Sequence, residues 1–374
     1  MNTGPKRVLV FQSDLHGGGA ERTVLNLVNG LDRDRYAPTL VLNQATGSYI
    51  NELRQDVPVV ELGSSRLRNS LWPLIREIRR QQPDICFATL HGPSFLLWLA
   101  RMVTRAHVPL VLRESNNWTA RGVPPTSLPQ RFVGRAYRRA DCVVCLSNGV
   151  NEDVKQRHGN VRTRTIYNPI DIAGIRLAAD ERSKPGPPWG PVGERDAVEL
   201  VAAGRLTRQK GFDLLLDAVA SIRELPWRLT ILGEGPDKSK LIEQARALEL
   251  GDRVVFPGFI ANPYPWLAAA DLFVLSSRWE GFGHVIAEAM ALGTPVLSTR
   301  CPSGPDEIID DGTDGVLCEP DSAEPIAASL RELILDPERR ARLGERGRGS
   351  IMRFDASSVV AEYEALFDQL LAAT

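Results

Sequence analysis

Short apolar runs alternate with amphipathic stretches along almost the whole chain, and this alternation leaves few folds open. RVLVF (7–11) reads as a buried strand, and GAERTVLNLVNGL has helical spacing that ends near Gly30. APTLVLN, PDICFATL, VPLVLRES and DCVVCLS read as further strands. LWPLIREIRRQQ, FVGRAYRRA and GVNEDVKQRH read as helices. Strand–helix alternation of this kind predicts a parallel sheet with helices on both faces. The pattern breaks at about 174–198, where ERSKPGPPWGPVGERD carries too much proline and glycine for a helix or central strand. It then restarts: AVELVAAGRL, WRLTILGEG, RVVFPGF, DLFVLSS and TPVLST are strands. FDLLLDAVASIREL, KLIEQARALEL, PYPWLAAA, GHVIAEAMALG and PIAASLRELILD are helices between them.

The expected fold class is therefore α/β, with two facing doubly wound Rossmann-like domains and a cleft between them. The expected boundaries are 1–178, a linker over 179–198, and 199–355. A last helix over 356–374 is expected to pack back on the first domain. A chain of 374 residues suits two domains of ordinary size.

Net charge is -1, but it is unevenly spread. Residues 1–180 carry 24 Lys and Arg against 15 Asp and Glu, and the remainder carries 21 against 31. A basic half joined to an acidic half suggests that the first domain meets an anionic surface. No apolar run approaches the roughly 20 residues that span a bilayer. The N-terminal apolar run is short and ends at a charge, unlike a signal peptide. Five cysteines in a chain of this length do not make a disulfide framework. Cys142 and Cys145 form a C-x-x-C inside a strand pattern, where Cys acts as a small apolar residue. The expected setting is cytoplasmic.

Three segments can carry chemistry. In SSRWEGFGHVIAEAMALGTPV (276–296) a strand ends, Gly281 and Gly283 form a turn, and a helix runs on to Gly293. A helix N-terminus after a glycine turn offers free N–H groups to a diphosphate. Glu280 precedes that helix, and Glu288 lies one and a half turns into it, from where it can reach back to a diol such as a ribose. The residues alone leave this reading level with that of a solvated glutamate pair around an ordinary turn. In GRLTRQKGFD (204–213), Arg205 and Lys210 bracket a strand-to-helix turn, which suits phosphate or a merely solvated loop. In HGGGAERTVLNL (16–27), Gly18 and Gly19 open a helix directly after the first strand. The third glycine of a dinucleotide fingerprint is missing, so a dinucleotide oxidoreductase is disfavoured, and no phosphate-binding P-loop motif exists. Asp32-Arg33-Asp34 is a D-x-D that reads better as a polar turn than as a metal site. His91 follows a predicted strand end and His284 lies beside Glu280. Each is an acid–base candidate that can equally be structural.

Together these segments resemble the family 4 glycosyltransferases of GT-B architecture. The matches run in order: GGGAER, YNPID (167–171), GRLTRQKGFD, ILGEGP (231–236), VVFPGF (254–259) and the block 262–308 with its E-x7-E spacing. YNPID, NPYP and CPSGPDEI are most similar to the bacterial subgroup that builds lipopolysaccharide cores, capsules and lipid-linked oligosaccharides. The resemblance implies a retaining, metal-independent transfer from a nucleotide-sugar donor, with UDP favoured over GDP. It implies that Arg205 and Lys210 hold the diphosphate, and that Glu280 with the backbone of Gly281, Phe282 and Gly283 positions the sugar. Glu288 would take the ribose, Phe259 would border the base, His284 would touch the donor, and Gly18 and Gly19 would line the acceptor side. The implied partners are a glycolipid or oligosaccharide acceptor and an anionic membrane at the inner face of the cytoplasmic membrane, with no nucleic acid. That membrane contact would use Arg76, Arg79, Arg80, Arg131, Arg135, Arg138 and Arg139, with Leu71, Trp72 and Phe132 dipping in. Many relatives have E-H-N where this chain has Glu114-Ser115-Asn116, so His91 is a candidate to replace the family histidine. A non-catalytic sugar-nucleotide binder and an epimerase or phosphorylase of the same architecture are the alternatives.

Overall fold

The computed structural model describes residues 4–16, 18–64, 66–180, 187, 189 and 195–373. Most of the expected linker, and Gly17, lie outside them. The chain divides into two compact units, Met1–Pro169 with Phe354–Thr374, and Ile170–Arg353.

In chain order the first unit contains β1 (Lys6–Gln12), α1 (Gly19–Gly30), β2 (Tyr36–Leu42), β3 (Val59–Glu61), α2 (Leu71–Gln81), β4 (Ile85–Thr89), α3 (His91–Thr104), β5 (Leu110–Glu114), α4 (Leu128–Tyr137), β6 (Cys142–Cys145), α5 (Asn148–His158) and β7 (Thr163–Thr165). The second contains α6 (Ile172–Ala179), β8 (Val198–Ala203), α7 (Phe212–Ala220), β9 (Trp227–Leu232), α8 (Lys238–Ala247), β10 (Val254–Gly258), α9 (Tyr264–Ala269), β11 (Leu272–Leu275), α10 (His284–Leu292), β12 (Val296–Thr299), α11 (Pro305–Ile308), β13 (Val316–Cys318), α12 (Ala323–Leu335) and α13 (Pro337–Ser350). The last helix, α14 (Ala356–Ala372), returns to the first unit.

Both sheets are wholly parallel. Their strand orders are β3-β2-β1-β4-β5-β6-β7 and β10-β9-β8-β11-β12-β13. Each order reverses beside the unit's first strand, between β1 and β4 and between β8 and β11. Such a reversal leaves a crevice at the carboxyl ends of the strands, because the two connections leave in opposite directions. The central strands are continuous apolar runs, as strands covered on both faces must be. Val8, Leu9, Val10 and Phe11 of β1 are all buried.

Two boundaries and one helix differ from the sequence expectation. The first unit ends at Pro169 rather than 178, because α6 packs with the second unit. Asp171 caps it by accepting from Gly174 N–H, Arg176 Nε donates to Ala291 O at 2.9 Å, and Asn262 Nδ2 donates to Ala178 O at 2.8 Å. The second unit ends at Arg353 rather than 355. The stretch His91–Thr104 is a helix that the pattern did not single out. Its Gly92-Pro93 start reads as a turn, yet proline is tolerated in a first helical turn, where its missing N–H has no intrahelical partner.

The α14 helix buries Val359, Val360, Tyr363, Leu366 and Phe367 in the first unit's core. Glu364 accepts from Asp32 N–H at 2.8 Å and pairs with Arg35, while Tyr36 Oη donates to Asp368 at 2.6 Å. The Asp32 carboxylate accepts from Asp34 N–H, so the D-x-D is a side-chain-closed turn. Cys142 and Cys145 are buried in β6, where burial pushes both thiols up, Cys142 to about 11.

Candidate active site

In the second unit the two segments singled out from sequence leave adjacent strands at the switch point. Residues 204–211 follow β8, and 276–283 follow β11. They are stitched together. Arg278 N–H donates to Gln209 O at 2.8 Å, Gln209 Nε2 donates to Trp279 O at 3.0 Å, and Ser276 Oγ donates to Lys210 O at 2.9 Å. The Arg278 guanidinium grips both oxygens of Asp213, at 2.7 and 2.6 Å. Burial opposes ionisation of Asp213, but these bonds outweigh it and hold its carboxyl below the usual range. The close approach demands a glycine at 211. Its φ is 62°, and a Cβ there would lie 2.0 Å from Ser276 O.

This stitching brings Lys210 Nζ to 2.6 Å from Glu280 Oε1. The same oxygen accepts from Ser277 Oγ at 2.6 Å. Ser277 is itself held by β12, where Thr299 Oγ1 donates to its carbonyl. No described residue bonds Glu280 Oε2, which leaves one acceptor oxygen for a ligand hydroxyl. Beside it, Gly283 turns the chain into α10, which stops at Gly293 (φ 82°), as the glycine spacing predicted. Glu288 is partly exposed on that helix. His284 opens it and meets the Phe282 ring edge-on at 5.7 Å. The Phe282 ring is buried, so only its backbone can face a ligand, which is all the sequence reading asked of it. Arg205 is exposed and makes no ion pair with any described residue. Phe259 follows β10 with its ring 74% exposed.

Gly18, Gly19 and His91 belong to the first unit, around its own switch point. Gly18 and Gly19 open α1 after β1, and His91 opens α3 after β4. His91 Nε2 lies 2.7 Å from Glu114 Oε2, and its ring stacks on Trp118 at 4.2 Å. Glu114 is fully buried at the end of β5. The same oxygen accepts from Trp118 Nε1 and Tyr137 Oη, both at 2.8 Å. Its other oxygen accepts from the N–H groups of Ser115 and Asn116, at 2.7 and 3.0 Å. Burial alone would raise the Glu114 pKa. The charge of His91 and the bonds from His91, Trp118 and Tyr137 overcome this and hold it at about 2. With Glu114 ionised, His91 Nε2 carries the proton, and Nδ1 has no partner among the described residues. Ser115 therefore reaches Glu114 only through its backbone N–H, its Oγ accepting from Asn116 Nδ2 at 3.3 Å, while His91 enters the cluster from another strand.

Sequence reasoning missed Ser277, Gln209 and the Arg278–Asp213 pair in one unit, and Glu114, Trp118 and Tyr137 in the other. Arg278 and Asp213 both lie inside quoted motifs. Nothing local shows that side chains 65 positions apart meet.

Comparison with known proteins agrees with this geometry. Residues 17–173 match the model described as Glycosyltransferase Family 4, and residues 193–350 match Glycosyl transferases group 1. The lipopolysaccharide core biosynthesis glycosyltransferase LpsE of Rhizobium meliloti is 30% identical over 355 residues, covering 92% of this chain and 94% of that one. A Campylobacter jejuni enzyme is 25% identical over 373 residues, covering 94% and 97%. Its name is N-acetylgalactosamine-N,N'-diacetylbacillosaminyl-diphospho-undecaprenol 4-alpha-N-acetylgalactosaminyltransferase. Among solved structures, Anabaena HepE in complex with UDP-glucose superposes with a TM-score of 0.82 at 22% identity, over 99% of this chain and 100% of that one, a likeness of fold. With the E-x7-E segment and the basic turn placed on adjacent strands of a GT-B-type unit, the chain belongs to the family 4 glycosyltransferases.

Proposed function

We propose that the protein is a retaining, metal-independent glycosyltransferase that moves a sugar from a nucleotide-sugar, with UDP-sugar favoured over GDP-sugar, to a hydroxyl of a membrane-associated glycan. A lipopolysaccharide core or a lipid-linked oligosaccharide is the acceptor class. The observation that carries this reading is the Lys210–Glu280 pair at the switch point, with one Glu280 oxygen open beside the start of α10. The relatives' names support the acceptor class, and the UDP-glucose bound to HepE supports the nucleotide.

In the proposed reaction the bond between the anomeric carbon and the diphosphate oxygen breaks, and negative charge collects on the diphosphate. Lys210, Arg205 and the N-terminal N–H groups of α10 stabilise that charge. Glu280 Oε2 accepts from a hydroxyl of the transferred sugar, which fixes the ring as it gains oxocarbenium character. Glu288 takes the ribose diol, and Phe259 borders the base. The acceptor oxygen bonds to the anomeric carbon and its proton passes to the departing diphosphate, so no dedicated base is required. His91, oriented by Glu114 and Trp118, has Nδ1 available to the acceptor side.

A panel of nucleotide sugars tests this, assayed with wild type, Glu280→Ala and Arg205→Ala in buffer with and without EDTA. Arg205→Ala is expected to lose about 2–4 kcal/mol of transition-state stabilisation. Equal activity in all three proteins, or loss in EDTA restored by a divalent ion, would overturn the assignment.

The membrane contact is part of the same proposal. Trp72 is 70% exposed beside Arg76 and Arg79 on α2, and Phe132 and Leu128 are exposed on α4. Arg80 is paired with Glu77 and contributes less. No helix of the described residues is long and apolar enough to cross a membrane. Binding to anionic liposomes that weakens with salt is expected, and salt-insensitive or absent binding would remove this part of the reading.

A further inference from the structure

Many arginines of both units pair with a carboxylate, and Arg7, Arg22, Arg33, Arg35, Arg54, Arg80 and Arg101 do so in the first unit. In the second unit Arg195, Arg228, Arg278, Arg300, Arg331 and Arg339 each pair with a carboxylate. In the first unit Arg131, Arg135 and Arg138 recur at helical spacing along α4 and make no ion pair among the described residues. They line a cavity of about 240 Å³ together with Arg157 and His158 of α5 and with Gln130. Among the described residues no carboxylate lines it.

The cavity is a built feature. Arg157 is anchored by donating to Thr119 Oγ1 at 3.1 Å and Val123 O at 2.7 Å, and Arg138 donates to His158 O at 3.3 Å. Gly134 lets α5 approach, since a Cβ there would sit 2.6 Å from His158 Nδ1. Burial, and then the charges of Arg157 and Arg138, push His158 down to about 4, so it adds no charge at neutral pH. Gln130 is 1% exposed, and among the described residues neither its carbonyl oxygen nor the buried Nε of Arg157 has a hydrogen-bond partner. Two acids of the same unit are committed elsewhere. Asp153 on α5 accepts from the Trp118 N–H and from Thr119, and Glu114 is saturated by its own six donors. Four guanidinium groups gathered without an anion repel one another, and a bound anion relieves that repulsion.

We propose that Arg131, Arg135, Arg138 and Arg157 form a binding site for a phosphate-bearing group, a phosphomonoester or a diphosphate. Arginine forks match phosphate oxygens two at a time, and several forks converging on one cavity select a compact, multiply charged anion over a single carboxylate. Use of the site for the phosphate of the acceptor rests on the glycosyl-transfer reading; the binding itself does not. Three of these arginines were expected to lie spread against a membrane, and the cavity makes them converge instead.

Inorganic pyrophosphate is the probe, titrated calorimetrically into the full chain carrying Arg205→Ala, which weakens the donor diphosphate site. Binding is expected to persist in that background. Adding Arg131→Gln and Arg135→Gln, both exposed and without an ion pair among the described residues, should weaken it at least tenfold with unchanged circular dichroism and Tm. Arg135→Lys should retain part of the affinity. Equal affinity with and without the Arg131→Gln and Arg135→Gln changes, or no binding in the Arg205→Ala protein, overturns the site. A second arm separates the sources. Phosphatidic acid vesicles that bind the protein and release it to pyrophosphate identify a lipid phosphate as occupant. Pyrophosphate binding without vesicle binding identifies a soluble phosphate, and both results support the site. The readout needs no turnover, so it fails or succeeds separately from the donor panel.

Discussion

The two units place a glutamate at comparable positions and use it in opposite ways. Glu280 follows β11 and Glu114 ends β5, both on the carboxyl edge of a parallel sheet. Each has a basic partner within 2.7 Å. Glu114 is saturated: His91, Trp118, Tyr137 and two backbone N–H groups fill both oxygens. Glu280 is half occupied, with Lys210 and Ser277 sharing one oxygen. A carboxylate whose lone pairs are all taken holds its neighbours in place. One with an oxygen left over can exchange a partner for a substrate.

The same substitution made in both centres is the most direct way to break this comparison. Glu280→Gln should lower turnover by about 10²–10³ while leaving Tm nearly unchanged. Glu114→Gln should do the reverse in emphasis. It removes the charge that six donors converge on, which costs about 3 kcal/mol of stability, read as a lower denaturation midpoint. If Glu114→Gln is as stable as wild type, the buried cluster does not organise the first unit.

A pH titration sharpens the same contrast. The Glu114 carboxyl falls from an ordinary 4.5 to about 2 on folding. Its contribution is complete above the unfolded value and fades as pH falls from about 5 toward 2, because the unfolded chain takes up the proton first. Tm should therefore drop over that interval in wild type and drop less in Glu114→Gln. Identical curves would place the acid sensitivity elsewhere.

The smallest expected effect lies at the clamp beside Glu280. Arg278→Ala frees the 204–211 turn from the 276–283 turn. Partly exposed as this pair is, its stability loss should be about 1 kcal/mol. Turnover should fall several-fold through misplacement of Lys210 and Glu280, with Arg278→Lys rescuing less than half. A change confined to Tm would make Arg278 a structural residue only.

Much of this was legible locally. The central strands are uninterrupted apolar runs and the helices keep a 3.6-residue stripe, so strand–helix alternation read directly as two parallel sheets. Gly283 and Gly293 bracket α10 because a positive φ at a helix end is written in residue type. Three things were not legible. Helix α3 hides behind Gly92-Pro93, which reads as a turn directly after a strand. The unit boundary falls inside YNPID rather than in the proline-rich stretch, because α6 chooses its neighbours by packing. The short edge strands β3, β7 and β13 carry too few residues for a period.

The sequence by itself determined the element types, the parallel sheets, and the two glycine-bearing turns on which the proposed donor site rests, since these depend on residue type and spacing within a few positions. Tertiary structure alone decided which groups meet: Lys210 with Glu280 across 70 positions, His91 with Glu114 across 23, and Arg157 with the α4 arginines around one cavity. Strand order sets those meetings. β8 lies against β11 and β4 against β5 only once the sheets are assembled, and only then do distant side chains share a charge, a hydrogen bond or an empty acceptor oxygen.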